Sequence, residues 1–173
     1  MTPMKSRSHL VAILAALAGA ALVQAQTPAA PARAKGTEVK SQAVGTFDVK
    51  VKPLPEDTKV PGVPVGRFSI DKEWKGDLVG TSKGEMMTTG TAVKGSAGYV
   101  AVEAMTVSLK GKSGTFTLMH HATMKNEGDF RMLINVVPDS GTGGLEGIAG
   151  NLEIIIEGSK HSYKFDYTRP EVR

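Results

Sequence analysis

The sequence predicts an all-β domain of about eight antiparallel strands. Short runs of β-branched and aromatic residues alternate with polar residues, which is typical of strands that bury one face. The chain contains 20 glycines, many of them between these runs, where turns are expected. Beyond the N-terminal segment, no stretch has the 3.6-residue periodicity of an amphipathic helix. Together these observations exclude a mainly helical fold.

The predicted strands follow one another through short turns, apart from a proline-rich loop at 53–64. In the second strand, Phe68, Ile70 and Trp74 share one face, and Lys72 is the exception in that series. Turn residues such as Lys110-Gly111-Lys112 separate neighbouring strands. The predicted strands are 45–51, 67–75, 81–90, 98–109, 113–124, 130–137, 151–157 and 161–168.

The most distinctive motif is Val-Val-Pro-Asp-Ser-Gly-Thr-Gly-Gly-Leu-Glu-Gly at 136–147. Pro138 has no N–H to donate to a sheet, so the preceding strand ends there. Glycines at 141, 143, 144 and 147 tolerate positive φ, so we expect a hairpin. The motif lacks the Gly-Lys-Ser/Thr ending of a phosphate-binding loop, and no cofactor is predicted.

The N-terminus predicts export. Lys5 and Arg7 precede a charge-free apolar segment at 10–23, and small or aliphatic residues follow at Val23-Gln24-Ala25. This pattern is that of a signal peptide, residues 1–25, cleaved after Ala25. The segment is short for a bilayer span, so no membrane anchor is expected after processing. The predicted location is periplasmic or secreted.

The rest of the chain is predicted to be a disordered Ala/Pro-rich linker at 26–42 and one domain at 43–170. The chain has no cysteine, which excludes disulfides and thiolate chemistry. Removing Lys5 and Arg7 from the 21 basic residues leaves 19 against 17 acidic ones. With this balance and no basic stripe interleaved with aromatic residues, nucleic acid is not an expected partner.

Alternation alone fits either a sandwich or a closed barrel. The motif at 136–147, together with Lys-Ser-Gly-Thr-Phe at 112–116, resembles a bacterial family of domains of unknown function related in fold to the allene oxide cyclase β-barrel. The resemblance covers 45–168 and implies a single closed antiparallel β-barrel. The interior of an eight-stranded barrel is either filled by side chains or holds one small ligand.

Two ionisable residues are candidates for that interior. His120 shares a strand face with Phe116 and Leu118, whereas His121 lies on the opposite face. Because adjacent strand residues diverge, these histidines cannot chelate one metal, and no metal site is predicted. Glu103 is buried if its face, shared with Tyr99, points inward. Such a pair fits either a structural buried contact or acid/base chemistry, and both interpretations remain open.

Three functional hypotheses follow. The first is an exported barrel that binds a small, mainly apolar ligand in its interior. The second, implied by the resemblance to allene oxide cyclase, is a cofactor-independent isomerase or cyclase that works by holding its substrate in one conformation. The third is a packed structural or interaction barrel, and a homo-oligomer is left open. The candidate cavity residues are Tyr99, Glu103, His120, Phe116, Met105, Met132 and Trp74.

Overall fold

The computed structural model describes residues 38–55 and 61–170, which all belong to the unit Ala34–Arg173. The predicted signal peptide and linker residues 26–37 lie outside the described residues. In chain order the strands are β1 (Glu38–Pro53), β2 (Val65–Gly76), β3 (Leu78–Gly90), β4 (Ala97–Leu109), β5 (Lys112–Lys125), β6 (Asp129–Val136), β7 (Ala149–Glu157) and β8 (Lys160–Pro170). In this part of the chain, no helix has the length and apolar character needed to cross a membrane.

Each strand pairs antiparallel with the next along the chain, and β8 pairs with β1. The sheet therefore closes, and the predicted all-β barrel of eight antiparallel strands is confirmed. The boundary between β6 and β7 is the weakest, because the paired residues there are only Asn135 and Asn151. The side-chain amides of these two asparagines are hydrogen-bonded to each other.

Strand β1 begins at Glu38, five residues before the predicted domain boundary at Ala43. Residues 38–42 pair with Asp166–Pro170 of β8, so they belong to the barrel and not to a linker. The sequence did not predict this extension, because strands pair through main-chain hydrogen bonds, which do not require apolar side chains. Lys40 and Gln42 are exposed, and their polar character resembles that of a linker.

One end of the barrel is closed by tightly packed side chains. This closed end carries the β2–β3 turn, the β4–β5 turn and the segment 137–148. Its core side chains are at most 2% exposed, and they include Leu78, Leu109, Leu145, Ile148 and Phe165. Aromatic rings fill the space above them: Phe116 stacks on Phe165 at 5.8 Å, and Trp74 meets Tyr163 edge-on at 5.1 Å.

Strand β6 ends at Val136, two residues before Pro138, as the sequence predicts. The expected hairpin is instead a longer segment that folds over β5 and forms a 3-10 helix, Gly143–Leu145. The Thr142 N–H donates to the Thr115 carbonyl oxygen at 2.8 Å. Gly143 has a φ of +58°, as expected for a glycine turn. Gly141 has no positive φ; a side chain there would overlap the Leu145 carbonyl oxygen.

Candidate functional site

Four polar side chains lie inside the otherwise apolar barrel, on four neighbouring strands. Lys72, Ser82, Glu103 and His120 are between 0% and 7% exposed. Their positions follow from strand alternation, because each belongs to the inward series of its strand. The register places Lys72 directly opposite Ser82. His120 lies opposite Ala101, which is two residues before Glu103 on the same face of β4. We call these four residues the interior network.

The Glu103 carboxylate is the centre of the interior network. Lys72 Nζ donates to Glu103 Oε2 at 2.7 Å, and the Ser82 hydroxyl donates to Oε1. Ser82 in turn accepts a hydrogen bond from Trp74 Nε1 at 2.8 Å. Gly84 lies opposite Glu103, and a Cβ there would come within 2.9 Å of Glu103 Cα. A glycine at this position therefore leaves room for the buried glutamate.

Aromatic rings surround the cationic end of the network. Lys72 Nζ lies 4.9 Å from the centroid of the Phe47 ring and 5.1 Å from that of the Trp74 ring. A cation over an aromatic face is stabilised by the ring quadrupole, more so when water is excluded. Lys72 therefore has two kinds of partner in the barrel, the Glu103 carboxylate and these two rings.

His120 contacts the network without completing a hydrogen bond. Its Nε2 lies 3.0 Å from Glu103 Oε2. No described atom forms a well-aligned hydrogen bond with Nε2, although the close contact with His120 helps to lower the pKa of Glu103. A buried polar atom without a partner is costly, by about 1 to 3 kcal/mol, so native proteins rarely keep one. Nε2 is therefore a buried ring nitrogen whose hydrogen-bonding capacity is incompletely used.

The network keeps Glu103 ionised. Burial opposes ionisation, but the nearby His120 ring, the positive charge of Lys72 and the Ser82 hydroxyl together outweigh it. They lower the pKa of the Glu103 carboxyl from 4.5 to about 2. A carboxylate with so low a pKa is a weak base, and at neutral pH it carries no proton to give. Glu103 is therefore suited to holding a charge or a hydrogen bond, and poorly suited to proton transfer.

Toward the other end of the barrel, which we call the open end, the inward series becomes accessible to solvent. This end carries the loops β1–β2, β3–β4, β5–β6 and β7–β8. Apolar side chains in the inward series are 36% to 57% exposed there: Val51, Met124, Phe130 and Ile156. The interior network lies between this accessible apolar rim and the packed closed end.

Comparison with known proteins gives a family but no activity. The family model described as "Protein of unknown function (DUF3224)" matches residues 43–167. The chain belongs to the DUF3224 family. A solved DUF3224 structure from Shewanella oneidensis MR-1, described as a protein with unknown function, is 41% identical and has a TM-score of 0.71. That match covers 77% of this chain and all of the Shewanella chain. Among curated proteins, none matches.

All of the predicted site residues lie within the DUF3224 match, but they occupy two different environments. Trp74, Met105 and Phe116 are at most 1% exposed and belong to the core of the packed half. Tyr99 and Met132 are only partly buried and lie toward the open end. Burial, with a smaller contribution from the Glu103 charge, raises the pKa of Tyr99. Whether these residues contact a ligand stays a prediction.

The structure brings Glu103 and His120 together, and it adds two residues that sequence reasoning missed. Lys72 interrupts the inward apolar series of β2. A lysine in such a series needs a buried partner, and this requirement was the sequence feature that could have revealed its role in the site. Ser82 gave no signal, since serine is common in exposed strands. Within the described residues, no group of three histidine, cysteine, aspartate or glutamate side chains is placed to hold a metal ion.

Proposed function

We propose that this DUF3224 protein binds a small, mainly apolar molecule in the open half of its barrel, with the interior network as the polar floor of the site. The observation that carries the proposal is the incompletely satisfied Nε2 of His120, which lies beneath a rim of accessible apolar side chains. Ligand sites commonly combine apolar walls with a few polar groups that fix orientation. His120 and Tyr99 supply such groups here.

The charge state of the network narrows the ligand class. Glu103 and Lys72 already neutralise each other at 2.7 Å. A charged ligand group would therefore be desolvated without an oppositely charged partner of its own, which is unfavourable. A neutral carbonyl, hydroxyl or ether oxygen on an apolar body is the better match for a single ring nitrogen.

The experiment uses a neutral fluorescent apolar probe, N-phenyl-1-naphthylamine, and two neighbouring residues of β7. Ile156 belongs to the inward series and is 57% exposed, whereas Ile155 faces outward and is 39% exposed. Both tolerate a lysine without burying it. We expect Ile156→Lys to weaken probe binding at least tenfold and Ile155→Lys to leave it unchanged. Equal affinities in the two variants would contradict a site inside the barrel.

A second candidate function is a cofactor-independent isomerase, in line with the sequence resemblance to allene oxide cyclase. The position of His120 favours it, because a ring nitrogen 3.0 Å from an ionised carboxylate is placed to move a proton. Incubating a co-purified ligand with the protein in D₂O distinguishes the two functions. A binding protein returns the ligand without deuterium, whereas deuterium incorporation that His120→Gln abolishes would establish the isomerase.

A further inference from the structure

The outer face of the barrel carries an apolar groove. The groove has a volume of about 740 Å³ and crosses strands β2 to β6. Directly paired outward residues form most of its lining, so it is a continuous feature of the sheet surface, and Ala101 and His120 of the inward series also contribute to the lining. Five of its apolar side chains are each 52% to 55% exposed: Met87, Val100, Val102, Met119 and Leu133.

The two central strands of the groove, β4 and β5, present an outer face without lysine, arginine, aspartate or glutamate side chains between Gly98 and Ser108 and between Ser113 and Thr123. Within these two ranges, His121 is the one ionisable residue on the outer face. By contrast, the outward residues of β1 and β2 form ion pairs such as Lys75–Asp48, at 2.7 Å. Contiguous apolar patches are uncommon on monomeric proteins and mark interaction sites.

The charges at the rim of the groove point to a second copy of the same chain. Arg67 Nη2 and Glu85 Oε2 are 2.7 Å apart at one flank, so that flank is neutral and presents both a cation and an anion. His121 and Asn135 at the other flank are polar donors and acceptors. A partner of strong net charge would gain no electrostatic attraction from this face. Two identical neutral faces, by contrast, meet without electrostatic repulsion.

The size of the face is sufficient for a dimer. Strands are spaced about 4.8 Å apart and rise about 3.4 Å per residue, so five strands span about 19 Å. Strands β6 and β4 have 8 and 13 residues, respectively. Measured along the curved surface of the barrel, the area is therefore at most about 500 to 800 Å², compared with the roughly 800 Å² that each partner buries in a standard interface. An apolar centre with a polar rim is also the usual anatomy of such interfaces.

We propose that this face is a homodimer interface in which a second copy packs on the groove about a twofold axis near β4. Val100 and Val102 lie at the centre of the contact, and Arg67, Glu85, His121 and Asn135 lie at its rim.

Sedimentation of the protein, expressed with its own N-terminal segment and purified, tests the proposal. We expect a dimer at micromolar concentration and at least a tenfold weaker association in Val102→Lys. Val44→Lys on β1 is the matched control, because Val44 is 52% exposed and Val102 is 55% exposed. A monomer in the wild type, or equal association in the two variants, would overturn the proposal. The wild type could instead be a monomer that co-purifies with a small amphiphile. If Val102→Lys loses this amphiphile, the groove is a binding site for the amphiphile and not a dimer interface.

Cross-linking tests the position of the twofold axis. The chain has no cysteine, so a single introduced thiol reports one contact. In the proposed dimer, residue 102 lies near the twofold axis and therefore near residue 102 of the second copy. Mild oxidation of Val102→Cys should therefore give a covalent dimer. Val44→Cys should stay monomeric under the same conditions. Equal cross-linking of both variants, or none in a Val102→Cys dimer, would refute the proposed arrangement.

Discussion

Replacing Glu103 by glutamine tests how the interior network stabilises the barrel. The substitution keeps the shape of the side chain but removes its charge, which leaves Lys72 Nζ buried without the carboxylate 2.7 Å away. The pKa of Glu103 falls from 4.5 to about 2 on folding. At 1.36 kcal/mol per pKa unit, the ionised form contributes about 3 kcal/mol to the free energy of unfolding. Breaking a buried ion pair typically costs about 3 to 5 kcal/mol, which agrees.

The sign of this effect sets its pH dependence. Because folding lowers the pKa of Glu103, its contribution is complete above the unfolded value of 4.5 and is lost as the pH falls toward 2. Urea unfolding from pH 7 to pH 2 measures this loss. We expect the stability of the wild type to fall more steeply below pH 4.5 than that of Glu103→Gln. Parallel curves would refute the reasoning.

Two further variants serve as controls for the glutamine substitution. Glu85→Gln removes the carboxylate of an exposed ion pair with Arg67 and should cost less than about 1 kcal/mol. Lys72→Met combined with Glu103→Gln removes both charges, so it should cost less than the sum of the single changes. A Glu103→Gln variant as stable as Glu85→Gln would show that the network does not stabilise the fold.

Three more predictions concern the closed end and export. Gly141→Ala should lower the free energy of unfolding by about 1 to 3 kcal/mol, because the added Cβ clashes with the Leu145 carbonyl oxygen. Gly90 has open space around it, so Gly90→Ala is the control and should be nearly neutral in the same urea titration. Tyr163→Phe should cost about 1 to 3 kcal/mol in that assay, because the buried Leu78 N–H loses its acceptor at 2.8 Å. We also propose export with cleavage after Ala25, so mass spectrometry of the exported protein should show an N-terminus at Gln26; an intact 10–23 segment would contradict it.

Strand alternation predicted most of the barrel because a strand that buries one face must repeat every two residues. It placed His120 in an inward series but left the phase of the Glu103 strand open, because both faces of that strand are largely apolar; the structure shows that the two residues are in contact at 3.0 Å. Barrel closure was not predictable from alternation, since a sandwich has the same pattern; the family resemblance supplied it. Closure depends on the pairing of β1 with β8, whose register spans residues far apart in sequence.

The remaining site residues were hidden for a related reason. Lysine and serine are residue types that usually lie on the surface. The structure shows that Lys72 and Ser82 are buried and that both donate hydrogen bonds to the Glu103 carboxylate, which the sequence alone does not reveal. The segment 137–148 was mistaken for a hairpin because its glycines suit positive φ. At Gly141, however, glycine is required by the close approach of the Leu145 carbonyl, a tertiary contact that the local sequence does not reveal.

Native mass spectrometry of the protein, expressed with its own N-terminal segment, tests the central proposal most directly. If the open half of the barrel binds a small apolar molecule, the spectrum should show a co-purified species of a few hundred daltons per chain. This species should be lost in Ile156→Lys and retained in both Ile155→Lys and Val102→Lys. A spectrum containing only the unliganded chain, or a species lost in Val102→Lys and retained in Ile156→Lys, would contradict binding inside the barrel.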